Sequence, residues 1–298
     1  MKKTISFRKK EAREFYLYIS PWLCGLVLFT IGAKVASIFI SFTRWDIITA
    51  PKWVGLENYW EIFFDDPLFW QSLKVTVTYS LVSVPLLLTS SLLVAILLNQ
   101  KIKALGTYRT IFYLPTVLPA VASTMLWMML LLRDGLINEF LGLFGIPPTA
   151  WLSNENTALW AIIGMSLWGF GTGMIIFLAG LQGIPDQLYE ACTIDGANWW
   201  HKFWHVTVPM ISPIIFFNFI MGVIGTFQVF TQGYIMTNGG PNNATLFYVL
   251  YLYRNAFEYF RMGYASALAW VLFFILVILT LIIFKSSSAW VYYEGQRN

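Results

Sequence analysis

Charge is scarce in this sequence of 298 residues: Asp, Glu, Lys and Arg make up 11% of it, against 58% hydrophobic residues. A soluble chain of this length needs far more charge to cover its surface, so a water-soluble globule is excluded. Cysteine is scarce too. Cys24 and Cys192 lie in different segments, which leaves neither a disulfide framework nor a thiolate metal cluster. The two histidines, His201 and His205, stand four apart on one helix face, as metal ligands can, but no Cys or Glu set nearby completes a site. No glycine-rich phosphate loop ending in Lys-Ser or Lys-Thr occurs, so the chain is expected neither to bind ATP nor to carry a cofactor or metal of its own. Catalysis by its own residues is not expected, nor is a nucleic-acid partner. No small-residue cleavage site follows the first apolar run, which is too long for a signal-peptide core and reads as a retained helix.

Long apolar runs are what the sequence has in abundance. A run of roughly 20 apolar residues rises about 30 Å as a helix, the thickness of a bilayer's hydrocarbon core. The runs do not alternate as barrel strands would, so each is a helix that satisfies its own backbone. Six spans are expected: Phe15–Phe42, Leu73–Leu98, Tyr108–Leu132, Ala158–Leu181, Val206–Ile235 and Tyr264–Phe284. The predicted fold class is an all-α integral membrane protein, with a tail over 1–14, a membrane domain over 15–286 and a second tail over 287–298.

Charge orients the helices. Lys2, Lys3, Arg8, Lys9, Lys10, Arg13, Lys101, Lys103, Arg109, Lys202, Lys285 and Arg297 fall on one side, and Arg44, Lys52, Arg133, Arg254 and Arg261 on the other. The positive-inside rule puts the first side, with both termini, in the cytoplasm. Acids gather outside (Asp46, Glu57, Glu61, Asp65, Asp66, Asp134, Glu139, Glu155 and Glu258), where they solubilise loops or offer a docking face to an external partner. Lys34 and Lys74 are placed to snorkel. None of the six spans holds an Asp or Glu, which argues against proton coupling. A secondary transporter would also show internal repeats around a mid-membrane ion site, and none is visible. Pro85, Pro115, Pro119, Pro209 and Pro213 break the second, third and fifth spans, and five glycines from Gly164 to Gly180 populate the fourth. Packing and bending both account for them.

The loop over 183–205 is the most informative stretch. It predicts a short helix from Asp186, a turn at Asp195-Gly196, and a second helix faced by Trp199, Trp200, Phe203 and Trp204. Read from its residues alone, it is either an amphipathic connector in the headgroups or a helix seated in a partner's groove. Its spacing resembles the cytoplasmic-loop signature of binding-protein-dependent ABC permeases. Glu190-Ala191-Cys192 occupies the Glu-Ala-Ala positions, Gly196 the glycine, Val206 and Val208 the Ile and Leu, and Pro209 the closing proline. Asp195-Gly196-Ala197 and Phe203 match the sugar-importer version. Pro51–Tyr59, Thr237–Pro241, Tyr253–Phe257 and Met262–Ala267 resemble stretches of maltose-type and glycerol-phosphate-type first permeases.

The resemblance implies a type I ABC importer permease fold, in the cytoplasmic membrane of a bacterium or archaeon. It implies a heterodimer with a second related permease, a dimer of ATPase subunits using ATP and Mg, and an extracytoplasmic solute-binding protein, all in membrane lipid. Glu190, Ala191, Cys192, Asp195, Gly196, Ala197 and Pro209 would form the ATPase-coupling element, with Glu190 the polar contact, Ala191 and Cys192 the close-packing face and Gly196 the turn. The family's solutes are mono- or oligosaccharides, with glycerol phosphate and acidic sugars also open. Sugars need hydrogen bonds and aromatic faces, which Asn218, Gln228, Gln232, Trp168, Phe227 and Tyr234 offer. Gln228 and Gln232, four apart, are expected to share a helix face.

Overall fold

The computed structural model describes residues 2–100 and 103–292, without the side chains of 2–6 and 8. Lys101, Arg297 and the tail from 293, and the side chains of Lys2, Lys3 and Arg8, lie outside the described residues. Among the described residues four helices are long and apolar enough to cross a bilayer, and two bent pairs, each taken as one span, bring the number to six. In chain order the spans are Lys9–Ser41, Pro67–Leu98, Leu105–Val117 with Ala120–Leu130, Ala158–Gly169 with Gly171–Gln182, Trp199–Phe227 and Met262–Ser287. They match the six apolar runs one to one.

Their limits and straightness differ from the sequence expectation. The second span starts at Pro67 rather than Leu73, because the Asp66 carboxylate accepts the Leu68 and Phe69 amides at 2.9 and 3.2 Å and Pro67 fits the first turn. The third span is two helices at 96° to one another, not one. Pro119 forces Leu118 into the extended region (ψ 139°), so the helix stops there and restarts at Ala120. The fourth bends by 43° at Phe170. The fifth begins at Trp199 rather than Val206 and ends at Phe227 rather than Ile235, with Gly222 and Gly225 weakening its last turns.

Two compact units make up the chain. One comprises residues 1–65 and 252–272. In it the first span, with a π-helical stretch over Leu26–Gly32, runs into a small antiparallel ladder. β1 (Thr43–Arg44) pairs with β2 (Lys52–Trp53) in the register Thr43↔Trp53 and Arg44↔Lys52. Asp46 sits in the turn between them, where the Thr49 hydroxyl and amide hold its carboxyl below the usual carboxylate range. Asn58 is buried and its amide donates to the Ser41 and Thr43 carbonyls at 2.8 and 2.9 Å. These are carbonyls left unpaired where the first span ends. Arg261 pairs with Glu61 at 2.5 Å and Arg44 with Glu57, so much of the acid in this region is neutralised within the chain.

The other unit comprises residues 66–251 and 273–298. The second span is its centre, packed against the fourth and the fifth. The glycines of the fourth span make these approaches possible. A Cβ at Gly173 would lie 2.8 Å from the Ser91 hydroxyl of the second span, and one at Gly171 would lie 2.8 Å from the Phe112 carbonyl of the third. Ser91 also donates to the Phe170 carbonyl at 2.9 Å, a second bond to a group that accepts the Met174 amide at 3.0 Å, and so ties the second span to the bend of the fourth. Two further bonds tie the second span to its unit: Thr226 donates to Ser80 at 2.8 Å, and the Tyr248 amide to Thr76 at 2.9 Å. At the chain's far end Trp290 meets Phe216 edge-on, and the Tyr292 amide donates to Ser212 at 2.8 Å.

Candidate functional site

The loop between the fourth and fifth spans is built from short-range rules. Pro185 is extended and precedes a helix over Asp186–Ile194, so Asp186 is a first-turn acid rather than the cap. The helix closes in a Schellman turn: the Ala197 amide donates to the Cys192 carbonyl at 2.9 Å and the Gly196 amide to that of Thr193 at 3.1 Å. Gly196 takes φ +77°, and a Cβ there would meet nothing within 4 Å. The glycine at the expected turn therefore serves a positive φ and not a close approach within this chain. Asn198 caps the next helix, accepting the His201 amide at 2.9 Å. That helix is not a separate loop element, as the sequence suggested. It runs on without interruption into the fifth span.

Side chains brace the loop from within. The Tyr189 hydroxyl meets that of Thr207 at 2.9 Å, and the Lys202 ammonium donates to Thr193 at 2.7 Å. Tyr189 and Cys192 pack on the core cluster of Met174, Phe177, Leu181 and Val206. Cys192 therefore faces the bundle and is not part of an outward packing face with Ala191. The outward face carries Leu188, Glu190, Ala191, Ile194 and Asp195, all exposed, with Ile194 at 87%. Ala197 is half-buried. Pro209 lies within the fifth span, where its carbonyl accepts the Ser212 hydroxyl at 2.7 Å, and so stands apart from that face. The His201 and His205 rings stack, with their Nδ1 atoms engaged by Asn198 and by the His201 carbonyl. Among the described residues no group of three potential ligands surrounds them or any other point.

The solute candidates divide. Gln232 and Trp168 line one cleft of about 170 Å³ at the bend of the fourth span and the break of the third, with Ser123, Ser166, Pro115 and Gly169. Trp168 stands edge-on to Trp127, with ring centroids 5.6 Å apart. Gln228 is exposed at the end of the fifth span, and the helix breaks before Thr231, so the two glutamines do not share a helix face. Phe227 is buried in packing and offers no free ring. Asn218 donates to the Ile214 carbonyl at 3.0 Å and is half-buried towards Gly173. Tyr234 stacks on Phe230, with centroids 5.2 Å apart. Ser123 and Ser166 were missed from the sequence. Their signal is a hydroxyl beside a helix break, which the many other serines and threonines of the chain dilute.

The described fold and loop can be set against known proteins. Residues 69–292 match the family model of the binding-protein-dependent transport system inner membrane component. The chain belongs to this family. It is 47% identical over 99% of its length, and 97% of the relative's, to the probable ABC transporter permease protein YesP of Bacillus subtilis. The trehalose/maltose transport system permease protein MalF of Thermococcus litoralis is 34% identical over 95% of this chain and 96% of its own. Among solved structures, a chain of a bacterial ABC transporter involved in the import of the acidic polysaccharide alginate superposes with a TM-score of 0.82 at 21% identity, over 95% of this chain and 99% of that one. The fold is accordingly that of a type I ABC importer permease, a multi-pass membrane component.

Proposed function

We propose that the chain is the permease subunit of an ATP-driven, binding-protein-dependent importer of sugars or oligosaccharides. It passes solute inward by alternating access and performs no chemistry itself. The observation that carries the reading is the loop helix Asp186–Ile194, which offers an exposed outer face with Glu190 at its centre and ends in a left-handed Gly196. A short helix fixed to the bundle by Tyr189, Cys192 and Thr193, with its outer face open, has the form of a plug for a groove. The groove belongs to an ATPase subunit, which binds ATP and Mg. Glu190 and Asp195 supply polar contacts, Ala191 the close approach, with Leu188 and Ile194 adding apolar area. A second related permease completes the pathway, and an extracytoplasmic binding protein delivers solute to it. The basic loops support a cytoplasmic position for both termini. Relatives named for saccharides, such as the lactose transport system permease protein LacF of Rhizobium radiobacter at 34% identity, support the solute class.

Gly196 tests the reading. Valine at φ +77° is strained whatever the space, while asparagine tolerates that region. Gly196→Val is expected to yield inserted permease of normal abundance that co-purifies poorly with the ATPase or hydrolyses ATP without uptake. Gly196→Asn should retain most of both. Normal uptake by Gly196→Val with its ATPase attached would overturn the coupling assignment.

A further inference from the structure

Behind the loop lies a feature that shares no residue with the cleft of Gln232 and Trp168. A trough of about 700 Å³ runs between the second span and the start of the fifth. Its walls are almost wholly apolar, with Leu88, Leu92 and Leu93 on one side and Trp200, Trp204 and Ile215 on the other. From Leu88 to Leu97 it follows the helix for roughly 14 Å, much of the length of an extended fatty acyl chain, and Gln100 lies just past the helix end. Beside its loop end lies a second, smaller pocket of about 290 Å³, in which Asn99, Lys202 and Thr207 stand among apolar side chains. The two share Ile96, Gln100, Trp199 and Phe203 and so adjoin, giving a channel of mainly apolar wall with a cation beside one end.

The chemistry of the two ends differs in a definite way. Lys202 is half-buried, and its ammonium spends one donor on Thr193. Two donors remain, and no described ion pair involves it. A cation in such a setting favours an anion. Trp199, Trp200 and Trp204 are each half or more exposed, as interfacial tryptophans are in a bilayer. An apolar trough that begins at a cation under an aromatic rim is complementary to a molecule with an anionic head and an aliphatic tail.

We propose that this channel is a binding site for an anionic phospholipid of the leaflet on the coupling-loop side, with an acyl chain along the second span and the phosphate on Lys202. The proposal rests on the chain being embedded in a membrane and not on which solute it carries. Bound there, the lipid would lie against both the loop's anchor, Tyr189 and Lys202, and the fifth span.

The test uses the assembled importer, purified in detergent and stripped of lipid, with phosphatidylglycerol and phosphatidylcholine as probes. Native mass spectrometry should show phosphatidylglycerol retained in preference to phosphatidylcholine. Lys202→Gln, which keeps a donor for Thr193, should weaken phosphatidylglycerol retention about fivefold, the value of one cation near an anionic lipid surface, and leave phosphatidylcholine unchanged. Leu93→Trp, which fills the trough, should reduce phosphatidylglycerol retention in a complex that still assembles. Equal retention of the two lipids, or wild-type retention by Lys202→Gln, would overturn the proposal. So would a photo-crosslinker at Leu93 that captures another protein chain in place of lipid. Uptake is not the readout, so an error in the solute class leaves this result intact.

Discussion

Gln228 and Gln232 carry the same side chain and differ in where the backbone leaves them. Gln232 lines the cleft with Trp168, and Gln228 is exposed at a helix end. A lost hydrogen bond to a neutral group costs about 0.5–1.5 kcal/mol, or roughly two- to tenfold in affinity. Gln232→Ala is therefore expected to raise the half-saturation concentration for uptake by that factor, and Trp168→Ala by at least as much. Gln228→Ala should leave it unchanged. Uptake measured in vesicles with the complete importer and ATP checks the three, and an effect of Gln228→Ala equal to that of Gln232→Ala would return the first glutamine to the solute path. The sequence showed the residue types and not this separation. An i, i+4 spacing has meaning only if the helix persists, and the break after Phe227 follows Gly222 and Gly225 with no proline to announce it. Cys192 teaches the same lesson in reverse. Its small side chain suits close packing, but only the direction of the helix decides whether the packing partner is another protein or the chain's own core.

At the scale of elements, composition was a good guide to existence and a poor one to shape. Every apolar run became a span, because lipid leaves the backbone no alternative. Pro115 and Pro119 marked the third span as breakable, yet only Pro119, with Leu118 extended before it, turns the chain through 96°. Pro85 and Pro213 sit inside helices that continue. Local sequence cannot tell these cases apart, because neighbouring helices decide whether a freed carbonyl finds a partner. Close approach is equally hidden. Gly263 opens the last span, donating to the Trp45 carbonyl at 3.3 Å, and a Cβ there would fall 1.8 Å from the Thr43 carbonyl oxygen. The obstacle is backbone and cannot rotate away. Gly263→Ala is expected to destabilise by about 1–3 kcal/mol, the usual range for overpacking, seen as a lower melting temperature in detergent. Gly25→Ala, where a Cβ meets nothing, is the control and should melt as the wild type does.

For the whole molecule, the distribution of basic residues leads to a definite expectation. In a background with Cys24 and Cys192 replaced by serine, a cysteine at Asn242 should react with a membrane-impermeant maleimide in intact cells. One at Gln187, exposed on the loop helix, should react only after the membrane is opened. The reverse pattern would put the coupling loop on the wrong side for any ATPase. Span number was legible because each span is a sum over many residues, in which single errors cancel. The continuity of the fifth span was not, since one turn of aromatic residues reads equally as a surface helix or as the start of a longer one. That continuity has a mechanical meaning. The helix from Trp199 to Phe227 has 29 residues and is about 43 Å long at 1.5 Å per residue. Its handle is braced to the loop and its tip ends a few residues before Gln232. Moved as one piece, a tilt of about 10° at the handle carries the tip by roughly 7 Å over that length, more than twice the length of a hydrogen bond.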